Sequence, residues 1–136
     1  MKMWKDTYKV GVEIIDEQHK ELFRRISEFL FSLRNEGHWE DKLPKVKETL
    51  EFMQGYVVIH FEDEEEYQKK INYPELMIHK EIHDQFKREM ITFSERFNDS
   101  DFDEVQVQKF ARTLLAWLIK HVAGDDKKIA DFIRAQ

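Results

Sequence analysis

The apolar residues of this chain recur at alternating steps of three and four, and five of its six histidines fall on the same steps. Ile15, His19, Leu22, Ile26, Phe29 and Leu33 make one such stripe, and Val46, Leu50, Met53, Val57, His60, Glu64 and Tyr67 a second. Leu76, His79, His83, Phe86, Met90, Phe93 and Phe97 make a third, and Val107, Phe110, Leu114, Trp117 and His121 a fourth. Such steps keep side chains on one face of an α-helix, which in a bundle is turned inward. The pattern predicts four amphipathic helices that carry His19, His60, His79, His83, His121 and the carboxylate of Glu64 into a core.

Residues 1 to about 11 read as an N-terminal arm, followed by a first helix to about Asn35. A second begins near Pro44, a residue favoured in the first helical turn, and runs to about Lys70. After the Asn72-Tyr73-Pro74 turn, a third helix continues to about Phe97. The polar break Asn98 to Asp101 follows, with Asp103 as N-cap candidate for the fourth helix. The fourth stops near Gly124, and a short last helix runs from Asp126 to about Arg134. Short connections favour antiparallel neighbours, so the expected fold is all-α: an up-down antiparallel four-helix bundle with an N-terminal arm and a short C-terminal helix. At 136 residues, with four glycines, two prolines and eleven phenylalanines, the chain reads as one domain, 1–136, around an aromatic core. The topology also puts all six polar groups at one end of the bundle.

A buried polar group left unpaired costs about 1–3 kcal/mol, and a bare carboxylate costs more. A lone core histidine is ordinarily satisfied by a neighbour's carbonyl. Five together with a carboxylate point to a metal, since imidazole nitrogen mixed with carboxylate oxygen suits iron, zinc or manganese. Absence of cysteine removes thiolate zinc sites, iron–sulfur clusters and disulfides together. A formal charge of −6 argues against nucleic acid or an anionic membrane as partner. No apolar run resembles a signal peptide or reaches the roughly 18–20 residues of a membrane span, so a cytoplasmic protein is expected.

Two familiar metal motifs are absent. A zinc peptidase of the His-Glu-x-x-His type needs glutamate where Lys80 follows His79. Ferritin-like Glu-x-x-His pairs need glutamate where Asp16, Asn35, Val57, Leu76, Lys80 and Leu118 stand. The sixth histidine, His38, lies 19 residues beyond His19, about 28 Å along a straight helix at 1.5 Å per residue, and reads as a surface residue. The acidic run Glu62 to Glu66 reads as solvated face, with Glu64 the inward exception. Asp125 reads as a surface charge, and Asp126 as an N-cap of the last helix or a ligand swung inward by an irregular or left-handed Gly124.

The remaining pattern resembles the hemerythrin family, in its bacterial single-domain form, over nearly the whole chain. The family carries a histidine on the first helix, His-x-x-x-Glu on the second, His-x-x-x-His on the third and His-x-x-x-x-Asp on the fourth. Matching residues are His19 in Asp-Glu-Gln-His-Lys-Glu-Leu, His60 with Glu64, His79 with His83, and His121 with Asp126. The resemblance implies two iron ions bridged by Glu64, Asp126 and an oxo or hydroxo group. His79, His83 and His121 would complete one iron, and His19 and His60 would leave the other a ligand short, open to dioxygen. It implies an apolar oxygen pocket at Leu22, Phe61, Trp117, Leu118 and Val122, whose residues also suit ordinary core. The expected function is reversible dioxygen binding for storage, carriage or sensing. The alternative is a di-iron enzyme acting on peroxide, nitric oxide or ferrous iron. No residue obviously supplies proton-coupled substrate chemistry, so a binding protein, not an enzyme, is expected. It is read as a monomer, with sensing left to an unidentified protein partner.

Overall fold

The computed structural model describes residues 4–136. Four long helices run α1 (Glu13–Arg34), α2 (Trp39–Lys70), α3 (Leu76–Ser100) and α4 (Glu104–Lys120). A wide turn over His121–Asp125 and a short α5 (Lys127–Ala135) follow. α1 packs on α2 and α4, and α3 packs on the same two, which is the square of an up-down bundle. No helix among the described residues is long and apolar enough to cross a membrane.

The stripes become the core. Phe29, Phe93, Phe97 and Phe110 meet with ring centroids 5.1–6.1 Å apart, and burial of each side chain stabilises the fold by roughly 1.5–3 kcal/mol. On α4 the deepest positions are Val107, Phe110, Ala111, Leu114 and Leu118, while Trp117, placed on the stripe by sequence, is only half-buried. A smaller apolar cluster of Val10, Ile15, Tyr73, Ile129 and Ala130 lies apart from the main core. It joins the N-terminal arm, the α2–α3 turn and α5 over the end of the bundle.

Local chemistry explains the joints. The α2–α3 turn holds Asn72 at φ 57°, with Tyr73 N–H donating to Gln68 C=O and Asn72 N–H to Lys69 C=O. That is a Schellman closure, satisfying carbonyls a helix end would leave orphaned. Asp103 caps α4 by accepting from Gln106 N–H at 3.2 Å, as its position predicts. The arm is held by the Asp16 carboxylate, which accepts from Val10 N–H at 2.7 Å and Gly11 N–H at 3.2 Å. Gly11 sits at φ 96°, a conformation other residues rarely adopt.

Two boundaries differ from expectation. α2 starts at Trp39, five residues before Pro44, because its first turn is tied down from outside. Trp39 Nε1 donates to Phe102 C=O, and Lys42 Nζ donates to Leu33 and Asn35 carbonyls. α3 continues through the exposed Asn98 and Asp99 to the half-buried Ser100 and stops only where Asp101 and Phe102 turn to φ 55° and 59°.

Candidate metal centre

His19 and Leu22 lie in the first half of α1, His60, Phe61 and Glu64 in the last third of α2, and His79 and His83 at the start of α3. Trp117 and Leu118 lie at the end of α4, with His121 and Val122 in the wide turn that follows. In that turn Asp126 N–H donates to His121 C=O at 2.8 Å, a five-residue step. An α-helical turn would stack Asp125 under His121. The π step instead rotates Asp126 inward, where it is fully buried and makes no side-chain cap to α5. Gly124 is not left-handed, so the irregularity lies in the hydrogen-bond step and not in a glycine φ.

The seven residues His19, His60, Glu64, His79, His83, His121 and Asp126 meet in one cluster, none more than 3% exposed. Their donor atoms fall into two groups, within each of which all atoms lie within 4.8 Å of one another. One group is His19, His60, Glu64 and Asp126, and the other is Glu64, His79, His83, His121 and Asp126. Both carboxylates are shared. Glu64 presents Oε2 to His19 and His60 Nε2 at 3.4 and 3.2 Å, and Oε1 to His79 and His83 Nε2 at 2.7 and 3.2 Å. Asp126 faces His79 through Oδ1 at 2.8 Å and His19 and His121 through Oδ2 at 2.8 and 3.1 Å.

These residues fit a metal. All four carboxylate oxygens and His79 Nε2 are buried, yet none makes an aligned hydrogen bond among the described residues despite the short contacts. Imidazole nitrogens also face each other, His19 with His60 Nε2 at 3.1 Å and His83 with His121 Nε2 at 3.3 Å. His60 Nδ1 meets Gln18 Oε1 and His83 Nδ1 meets Glu65 Oε2, each at 2.7 Å, so the inner nitrogens are free to act as ligands. An all-nitrogen-and-oxygen donor set around shared carboxylates suits iron, zinc or manganese.

Protons are the competitors for these sites. Burial opposes protonation of histidine, but the Asp126 and Glu64 carboxylates outweigh it and raise His19 and His79 to about 9. They raise His121 to about 10, with Asp125 contributing. Burial would raise Glu64, yet the surrounding imidazoles, His121 foremost, hold it well below its usual range. At His60 burial prevails and lowers the value. A raised histidine stabilises the fold fully below its ordinary 6.5 and loses that contribution as pH climbs through 9–10. Lowered Glu64 contributes above 4.5 and loses its share as pH falls through its folded value. Metal-stripped protein is therefore expected to melt at a lower temperature at pH 9.5 than at pH 6. Loaded protein should bind metal more tightly as pH rises, because metal displaces those protons. Melting curves of both forms at the two pH values check the opposite signs.

The sequence reading missed an outer layer. Glu65, placed on the solvated face, reaches back to His83, and Gln18 to His60. Asp125, read as a free surface charge, sits with Oδ2 3.6 Å from His121 Nδ1, and that imidazole lowers its carboxyl. Gln18, Glu65 and Asp125 each lie within one residue of an inward-facing residue, so their side chains stand at the edge of the inward face and can reach behind a cluster imidazole. Polar residues flanking the stripes were the available signal. Among the residues expected to line an oxygen pocket, Leu22, Phe61, Leu118 and Val122 are fully buried. Phe61 stacks on His83 at 3.9 Å, and Trp117 stacks on His121 at 4.6 Å. His38 is exposed just before α2, away from the cluster.

The comparisons with known proteins agree with one another. The family model described as hemerythrin HHE cation binding domain matches residues 10–133. A bacteriohemerythrin of Clostridium acetobutylicum is 30% identical over 131 residues, 96% of this chain and 100% of the relative. A bacteriohemerythrin of Stenotrophomonas maltophilia is 31% identical over 98% of this chain and 82% of its own. A myohemerythrin of Theromyzon tessulatum is 31% identical over 92% of this chain and 88% of its own. The chain belongs to the hemerythrin family, and it resembles bacterial members over nearly its full length.

Proposed function

We propose that residues 1–136 act as one domain that binds dioxygen reversibly at a non-haem di-iron centre, as a store, carrier or sensor. Its ligands are His19, His60, Glu64, His79, His83, His121 and Asp126, and an oxo or hydroxo group completes the bridge between the irons. The observation that carries this reading is the unequal division of the cluster, four residues on one side and five on the other, with both carboxylates common. His79, His83 and His121 with the two shared carboxylates would hold one iron, while His19 and His60 with the same carboxylates would hold the other with one protein ligand fewer, leaving room for a small exchangeable ligand as catalytic zinc sites do.

When bound, the two irons supply the reversible electron exchange by which dioxygen is held and released. The chain supplies shelter. Leu22, Phe61, Leu118 and Val122 are fully buried, and none carries a proton to donate. Exclusion of water and protons suppresses the side reactions that would turn a binding site into an oxidising one. That composition favours binding over turnover.

An optical spectrum of reduced, iron-loaded protein before and after air tests the reading. A new visible band that vanishes under argon and returns with air is expected, at about two irons per chain. Irreversible bleaching, or steady consumption of dioxygen, would instead favour a di-iron enzyme. Leu118→Ala gives a second check. Leu118 lies three residues before His121, and its truncation opens a void that admits water. The oxygenated band should decay faster in Leu118→Ala, by at least about tenfold if the barrier falls by 1.4 kcal/mol, with iron content unchanged.

A further inference from the structure

Asp63, Gln18 and His60 form a directed chain from the flank of α2 into the centre. Gln18 Nε2 lies 2.7 Å from Asp63 Oδ2, and Gln18 Oε1 lies 2.7 Å from His60 Nδ1. A carboxylate only accepts, so the group facing Asp63 is the amide NH2, and Oε1 is left for the imidazole. Oε1 also only accepts. His60 therefore carries its proton on Nδ1, and its Nε2 lone pair points toward His19 Nε2 at 3.1 Å and Glu64 Oε2 at 3.2 Å.

The other half of the cluster is backed differently. His83 Nδ1 donates to Glu65 Oε2 at 2.7 Å, and Asp125 Oδ2 stands 3.6 Å from His121 Nδ1. A carboxylate behind an imidazole makes it a more basic ligand than an amide does. Among the described residues, His19 Nδ1 and His121 Nδ1 make no hydrogen bond, although His121 has the Asp125 carboxylate 3.6 Å behind it and His19 has no such charge beside Nδ1. The five-residue group thus has one carboxylate hydrogen-bonded behind His83 and a second nearby behind His121, and the four-residue group has only an amide behind His60.

We propose that Gln18 is the positioning residue of the His19–His60 half, and that its amide makes this half the weaker of two unequal metal sites. The proposal rests on the di-iron reading above. Its consequence is an order of events: metal leaves the His19–His60 half first and returns to it last. Gln18 fixes which nitrogen of His60 is bare, while its neutrality limits how strongly that nitrogen holds metal.

Timed release of iron from loaded protein to excess chelator, read by the absorbance of the chelate, tests this without any measure of oxygen binding. Wild type should release iron in two phases of equal amplitude. Gln18→Leu should accelerate the fast phase by about 10–100-fold and leave the slow phase unchanged. Glu65→Leu should accelerate the slow phase instead. The double variant Gln18→Glu with Asp63→Asn reverses the polarity of the chain, since the amide introduced at position 63 can donate to the carboxylate introduced at position 18, and that carboxylate still accepts from His60. Its fast phase should be slower than that of wild type, which a role limited to packing does not produce. If Gln18→Leu does not fold, as judged by circular dichroism, the double variant decides the matter alone. A single release phase in wild type, an unchanged fast phase in folded Gln18→Leu, or a double variant no slower than wild type overturns the proposal. Fewer than two irons per reconstituted chain overturns the di-iron reading and the proposal with it, and the iron count tells that failure apart.

Discussion

Asp126→Ala is expected to strip the protein of most of its iron, since that carboxylate contacts both groups of the cluster, through Oδ1 at His79 and Oδ2 at His19 and His121. The loss of affinity should exceed the roughly 10–100-fold that removal of an outer partner costs, because on the proposed assignment a shared ligand would disappear from two sites at once. Asp125→Ala is the control one residue away. Its carboxylate stands 3.6 Å behind His121, too far for a direct hydrogen bond, so about tenfold or less is expected. Iron per chain after gel filtration, with circular dichroism to confirm folding, measures both. If Asp125→Ala loses iron and Asp126→Ala keeps it, the ligand assignment moves by one residue.

Removing metal from the wild type is expected to lower its melting temperature by roughly 10 °C or more. A ligand present at 100 times its dissociation constant stabilises the folded state by about 2.7 kcal/mol, and domains of this size shift by a few degrees per kcal/mol. Metal loss also returns two fully buried carboxylates to a core where only protonated imidazoles can balance them. Calorimetry of stripped and reloaded protein at pH 7 gives the difference directly. Equal melting temperatures, or recovery with zinc but not iron, would refute the expectation.

Helices were legible in the sequence because burial follows period, and every stripe position from Ile15 to Leu33 is buried as the steps of three and four require. The convergence of His19, His60, Glu64, His79, His83 and His121 followed from topology, since an up-down bundle brings the start of one helix beside the end of the next. Asp126 was different. A π step leaves no periodic trace, so only the spacing of a known family singled it out over Asp125. Trp117 and Leu118 show the limit of a fixed period near such a step, where the inward face drifts and the leucine takes the deeper place. The outer partners were hidden for a further reason. Glu65 and Gln18 work from the edge of a helix, where a long side chain is free to choose solvent or a neighbour, and only the packed structure shows which.

The five-residue step at the end of α4 inserts one residue into a helix that otherwise continues, and each inserted residue turns everything beyond it by about 100°. Without that turn, α5 would extend the stripe of α4. With it, Ile129 and Ala130 roll onto Val10, Ile15 and Tyr73, and Phe132 meets Tyr73 at 5.4 Å, over the end of the bundle where the seven side chains lie. Aiming a ligand and shutting the roof above it are therefore one geometric event. A regular α-helix over the same residues would lose both together, leaving Asp125 under His121 while Asp126 and the apolar face of α5 turn away from the end of the bundle.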